Sequence, residues 1–325
     1  MRFRRLPAAA VALAAVVTLV ACGGQREPAG SSSANGGRLT IATGNTTGVY
    51  YQLGGALASV ISQKVSGYRA TASETGASVQ NIQGLVAGNY DIAFSLGDSA
   101  SDAVKGENSF KSKQDVVALT RLYNNYTQVA VRTSAGVNSI ADLKGKRVST
   151  GSPNSGTEVI ARRLIEAAGL DPAKDVTAQR LGLPESVDAM KSGSIDALVW
   201  SGGLPTGGMT DLVTSMGKGV KLLPITDLLP KMQEKYGTIY TRAPIPAATY
   251  KQPADVPTII VPNVLLVRKD MKDDLAGQLT KVVYDNMDAL VAVNAAAKGI
   301  TLENADKTDP VPLHPGAKKA IDGLK

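Results

Sequence analysis

Arg38-Leu39-Thr40-Ile41-Ala42-Thr43-Gly44-Asn45-Thr46-Thr47-Gly48-Val49-Tyr50-Tyr51-Gln52-Leu53-Gly54 contains the change of period that decides the fold. Arg38–Thr43 is β-rich, and after a glycine-bounded turn the apolar residues of Tyr50–Val65 take helical spacing. The alternation continues outward: Arg69–Thr75 reads as extended, Ser78–Ala87 as helix and Asp91–Leu96 as a short apolar strand. That is the βαβ pattern of a largely parallel sheet covered by helices. A second unit follows, with strands at Arg147–Thr150, Gln179–Leu181 and Ile195–Trp200 and helices at Thr157–Ala168 and Glu185–Ser192.

The two units repeat the same devices. Gly44-Asn45-Thr46-Thr47-Gly48 and Gly151-Ser152-Pro153-Asn154-Ser155-Gly156-Thr157 each lead from strand to helix. Gly88-Asn89-Tyr90-Asp91-Ile92-Ala93 and Gly193-Ser194-Ile195-Asp196-Ala197-Leu198 each lead from helix to strand. This predicts two α/β lobes of related topology, in keeping with the tendency of a single core to divide beyond about 250 residues. Val116–Tyr123, Thr127–Arg132 and Thr258–Arg268, the last interrupted by Pro262, are the candidate crossings between lobes. The expected division is 38–128 with 265–325 as one lobe and 129–264 as the other.

Ahead of the lobes, Arg2, Arg4 and Arg5 precede an uncharged apolar run from Leu6 to Ala21. This is the layout of a signal peptide over residues 1–21. A retained spanning helix would need about 20 apolar residues, and length alone leaves that alternative open. Leu19-Val20-Ala21-Cys22 resembles the lipobox of bacterial lipoproteins, which makes Cys22 the expected lipidated first residue of the mature chain and its means of membrane association. Residues 22–37 are poor in large apolar side chains and read as a flexible tether.

Composition narrows the function. Cys22 is the sole cysteine, which excludes an intrachain disulfide and a catalytic thiol. Loss of the leader removes three Arg and no acid, so the net charge falls from +7 to +4. With no basic run and only 4% aromatic residues to stack bases, the chain does not read as a nucleic-acid binder. Metal is equally unsupported, because one His and one lipidated Cys cannot supply zinc ligands and no acidic cluster has calcium-loop spacing. Gly97-Asp98-Ser99 has the form of a lipase Gly-Asp-Ser, but a serine nucleophile needs a base, and the only histidine, His314, has no partner motif.

The strand-to-helix turns remain. The first amides of a helix lack intrahelical partners and sit at the positive end of its dipole, and ligands of open α/β sheets gather outside the carboxyl ends of the strands. Thr46, Thr47, Ser155 and Thr157 could be ordinary caps at either turn taken alone. Equivalent turns in two lobes instead predict a shared cleft that holds a small carboxylate from both sides. The expected contacts are Thr47, Gly48, Val49 and Tyr50 from the first turn, and Ser155, Gly156 and Thr157 from the second. Thr75-Gly76-Ala77-Ser78 before a helix adds Ser78, with Asn81 one turn on. Gly97 and Asp98 lie at one strand end, Trp200 at another, and Tyr123 lies near a crossing. Trp200 reads as a core residue or as a wall for the ligand's apolar part.

Several stretches, in order along nearly the whole mature chain, resemble the TAXI solute receptors of tripartite ATP-independent periplasmic (TRAP) transporters. They are Thr40–Gly44 through Gly48–Gly54, Thr75-Gly76-Ala77-Ser78-Val79-Gln80-Asn81, Leu122-Tyr123 with Gln128-Val129, Asp142-Leu143-Lys144-Gly145-Lys146-Arg147-Val148, Gly151–Thr157 and Leu313-His314-Pro315-Gly316-Ala317. The resemblance implies a type II periplasmic-binding fold closing by a hinge on a ligand such as glutamate, glutamine or 2-oxoglutarate. It also implies delivery to a TRAP permease driven by an ion gradient. The residues themselves lead us to expect a monomeric receptor with no cofactor and no enzymatic activity. Two features depart from the family pattern: the lipid anchor implied by Cys22, and the loose Gly207-Gly208 entry to a helix. A receptor for an ABC importer and, more distantly, a lipoprotein hydrolase using Ser99 are the alternatives.

Overall fold

The computed structural model describes residues 37–325, so the leader, Cys22 and the tether up to residue 36 lie outside the described residues. The first half runs β1 (Gly37–Ala42), α1 (Val49–Lys64), β2 (Tyr68–Ser73), α2 (Ser78–Val86), β3 (Ile92–Leu96) and α3 (Gly97–Lys105). A long strand, β4 (Val116–Arg132), leads to β5 (Arg147–Ser149), α4 (Gly156–Ala167), β6 (Thr177–Gln179), α5 (Leu183–Ser192), β7 (Ala197–Gly202) and α6 (Gly207–Met216). Then come β8 (Val220–Leu222), α7 (Leu229–Tyr236), β9 (Thr241–Ile245), β10 (Val256–Arg268), α8 (Asp273–Asp285), α9 (Met287–Val293) and α10 (Pro315–Asp322).

The sheet order is β2-β1-β3-β10-β4-β7-β5-β6, with β8 added to β4 and β9 to β10. Parallel pairs occupy the two ends, β1 with β2 and β3, and β5 with β6 and β7. Every pair made by β4 or β10 is antiparallel, so the sheet is mixed at its centre. β4 is one continuous strand where the sequence suggested two. Its Val116–Arg121 portion pairs with Val264–Arg268 of β10, and its Tyr126–Val131 portion with β7. Between those portions the ladder shifts register at Pro262, which has no N–H to give.

Buried amides fill that crossing. Asn263 Nδ2 donates to Tyr123 O (2.9 Å) and Asn125 Oδ1 (2.8 Å), its Oδ1 accepts from the Tyr50 hydroxyl (2.5 Å), and Asn125 Nδ2 donates to Ser201 O (3.3 Å). Apolar packing divides on either side. Leu39 and Ile41 of β1 join Leu53, Leu57 and Ile61 of α1 and Leu279 and Val283 of α8 in one group. Val148 of β5, Ile160 and Leu164 of α4 and Met232 of α7 belong to another.

The repeated sequence devices have equivalent structural duties. Asp91 Oδ2 accepts from Thr40 N (2.7 Å) while Asp91 N donates to Thr40 O (2.9 Å). Asp196 does the same to Arg147, at 2.9 and 2.8 Å. Each aspartate therefore locks the first strand of its unit to the third. Asp196 also takes the Arg147 guanidinium (2.6 Å), which together with the backbone bond holds its carboxyl below the usual carboxylate range. His314 is buried, caps α10 by accepting Gly316 N–H at Nδ1 (3.1 Å), and contacts Met271 O through Nε2 (2.9 Å).

Candidate functional site

Three helices begin around one cavity. At α1, Gly48 N donates to Asn45 O (2.9 Å), which turns the chain so that Val49 and Tyr50 open the helix. At α4, Ser155 caps by accepting Glu158 N–H at Oγ (2.9 Å), and Gly156 and Thr157 open the helix. At α2 the residue before the helix, Ala77, has φ 83° and ψ −148°, a region almost confined to glycine that costs on the order of 1–3 kcal/mol. Side chains of the same turn hold it there, because Ala77 N donates to Thr75 Oγ1 (3.0 Å) and Gly76 N to Gln80 Oε1 (2.6 Å).

The cavity is narrow, walled by the three helix starts, by the ends of β3 and β7 and by the middle of β4. Of the residues expected from sequence, Gly48, Val49, Tyr50, Ser78, Tyr123, Ser155, Gly156, Thr157 and Trp200 line it. Asn45, Ala77, Leu96, Asn125 and Ser201 line it as well. The Asn124-Asn125 pair, polar in the middle of an apolar strand, was the available signal for Asn125. Trp200 lies half-buried against Gly48, with Nε1 donating to Thr206 Oγ1 (3.3 Å).

Four expected residues do not line the cavity. Asn81 turns into the sheet, where Nδ2 donates to Thr43 O (2.7 Å) and Phe94 O (2.8 Å) and Oδ1 accepts from Thr75 (2.6 Å). Thr47 faces the start of α6 near Gly208, its buried hydroxyl without a protein partner. Gly97 and Asp98 are the first turn of α3 and not a strand-end loop, with Gly97 close to Pro262 O beside the crossing. Asp98 accepts from the Tyr240 hydroxyl (2.6 Å) and from Arg163 of α4 (3.4 Å), and Arg163 also binds Asp102 (2.5 Å). Burial pushes the Asp102 carboxyl up against the pull of Arg163. Asp98 is thus spent on a buried charge cluster, a partnership invisible in sequence because Arg163 is 65 positions away.

The halves are stitched across the cavity. Asn45 Nδ2 donates to Ser152 Oγ (3.2 Å), Leu183 N to Asn45 Oδ1 (3.0 Å) and Gln80 N to Asn154 O (2.9 Å). Inside, the hydroxyls of Tyr123 and Ser201 are buried without a protein partner. Burial pushes the phenols of Tyr50 and Tyr123 far above their ordinary range, so both remain donors at any physiological pH. Among the described residues that line the cavity there is no Asp, Glu, Lys, Arg or His.

A family match coincides with this architecture: the NMT1-like family aligns over residues 41–321, the span from β1 to α10. The chain belongs to the NMT1-like family. This NMT1-like chain is similar in structure to the binding-protein component of an ABC phosphonate transporter from Pseudomonas aeruginosa, at 14% identity and TM-score 0.54, covering 81% of this chain and 80% of that one. An ancestral arginine-binding protein bound to arginine matches at 16% identity and TM-score 0.51, with 81% and 99% covered. A Xanthomonas citri protein bound to ATP matches at 14% and 0.51, with 88% and 95% covered. At these identities the likeness is one of fold, and the fold is that of the periplasmic binding proteins.

Proposed function

We propose that the protein is an extracytoplasmic solute-binding receptor, tethered through lipid on Cys22, that captures a small carboxylate and passes it unchanged to a TRAP permease. Glutamate, glutamine and 2-oxoglutarate set the expected size. The observation that carries the reading is the meeting of three helix starts, α1, α2 and α4, on one cavity that holds two unpartnered hydroxyls. Helix-start amides attract anions, and strained backbone such as that of Ala77 gathers at ligand clamps. The crossing near Asn125 and Asn263 supports a division into residues 38–128 with 265–325 and residues 129–264, closing on each other over the ligand.

The TRAP assignment rests on the sequence motifs, and the likeness to the component of an ABC phosphonate transporter favours the ABC alternative as a second reading. The hydrolase reading lacks a base: Ser99 bonds to Asp98 within α3, while His314 is committed to the α10 cap. Thermal-shift screening of carboxylates and amino acids, followed by calorimetry and small-angle scattering, should find a ligand that raises the melting temperature and compacts the molecule. No stabilisation and no compaction with any of them would end the receptor reading. Uptake into vesicles bearing the cognate permease, driven by an ion gradient with ATP absent, separates TRAP from ABC delivery.

A further inference from the structure

From the hydrogen-bond capacity left open in the cavity, and resting on the receptor reading above, we infer that the ligand is a carboxylate without an ammonium group, such as a 2-oxo or 2-hydroxy acid, and that the corresponding amino acid is rejected. An α-ammonium brings three N–H donors and a full positive charge, and burying it unpaired is strongly unfavourable. It therefore needs acceptors, preferably a carboxylate.

No carboxylate lines the cavity among the described residues, and most of its side-chain oxygens already accept one hydrogen bond. Asn45 Oδ1 is taken by Leu183 N and Asn125 Oδ1 by Asn263 Nδ2. Ser78 Oγ accepts from Leu96 N (3.0 Å), Ser155 Oγ from Glu158 N, and Thr157 Oγ1 from Ser201 N (3.2 Å). The carboxylate of Asp98, two residues beyond the lining residue Leu96, is held by Tyr240, Arg163 and Ser99 N.

What remains is neutral: the hydroxyls of Tyr123 and Ser201 give or take a hydrogen bond but bring no counter-charge to an ammonium. The first residues of three helices line the space, those of α1 (16 residues), α2 (9) and α4 (12), although Gln80 N of α2 is given to Asn154 O and Glu158 N of α4 to Ser155 Oγ. Three positive dipole ends reinforce the preference, since they attract a carboxylate and repel an ammonium beside it. A keto or hydroxyl oxygen next to the carboxylate accepts from the same donors, and Trp200 and Leu96 are left for the carbon chain.

The test is calorimetry on the mature chain with matched pairs, each 2-oxo acid against its L-amino acid. The first pairs are 2-oxoglutarate with glutamate and 2-oxoisocaproate with leucine, and the panel extends to the other common side chains. The expected result is at least tenfold tighter binding of the oxo acid in every pair that binds. Equal or tighter binding of the amino acids overturns the inference while leaving the receptor reading intact. Absence of binding by both kinds, with compaction by an uncharged metabolite instead, overturns both. Ser201→Asp supplies the missing counter-charge and should shift the oxo-to-amino preference at least tenfold toward the amino acid. An unchanged ratio in a variant that still binds the oxo acid counts against the inference.

Discussion

Gly156→Ala tests the proposed closure of the two lobes with a single methyl group. A Cβ on Gly156 would lie 2.5 Å from Leu96 Cδ1 and 2.7 Å from Ser78 Oγ, atoms of the opposite side of the cavity. Ser78 Oγ cannot retreat without loosening its bond from Leu96 N. Overpacking of this kind costs about 1–3 kcal/mol. If the clash exists only when the halves are together, the whole cost falls on the liganded state and Kd rises roughly 5- to 150-fold. The free protein should not suffer, because α4 begins at Gly156 with an ordinary backbone angle and alanine is the better helix former. Calorimetry with the tightest ligand found by screening, beside the melting temperature of the free protein, reads both quantities. An affinity within twofold of wild type, or a free-protein melting temperature lowered by several degrees, would refute the reasoning.

Arg163→Met should destabilise the chain by about 3–5 kcal/mol in urea denaturation, since it leaves two buried carboxylates without their cation; a loss below about 1 kcal/mol would mean that water reaches the cluster. Tyr123→Phe removes a hydroxyl that serves no protein partner, so stability should hold while ligand affinity falls by about 1.5–3 kcal/mol, the worth of a hydrogen bond to a charged group; calorimetry that shows no change would place the anion elsewhere. Asp196→Asn addresses acid stability. The folded carboxyl is depressed by Arg147, so its contribution is present above the ordinary carboxylate pKa near 4 and is lost as the pH falls through the lower folded value. The variant should be less stable at pH 7 by at most about 1 kcal/mol, because the Arg147 side chain is nearly half exposed and screened by solvent, and its acid unfolding limb should be shallower. An identical limb in thermal melts from pH 7 down to 3 would disprove that linkage.

What the sequence made legible was local and periodic. The turns of residues 44–48 and 151–157 and the two aspartates that follow them marked equivalent units, and the structure shows why: each aspartate locks its unit's first strand to the third. Asn81 and Asp98 were misplaced for a different reason. A polar side chain near a helix start can face a cavity or satisfy strand carbonyls, and only tertiary neighbours decide which. Asn81 found Thr43 O and Phe94 O, and Asp98 found Arg163 and Tyr240 from distant segments. Asn124 and Asn125 interrupt the apolar run of β4 and so suggested two strands. The chain passes through unbroken because β10 runs alongside, and Asn263 answers Asn125 with a side-chain bond.

Asn263 has a further consequence. Its one amide group grips both strands of the crossing and also a phenol that borders the cavity. If the lobes swing at this crossing, the cargo leans on a ring one bond away from the fulcrum. Occupancy and posture then become a single degree of freedom, and a membrane partner that feels only the outer contour of the protein can tell a loaded molecule from an empty one without ever touching what it carries.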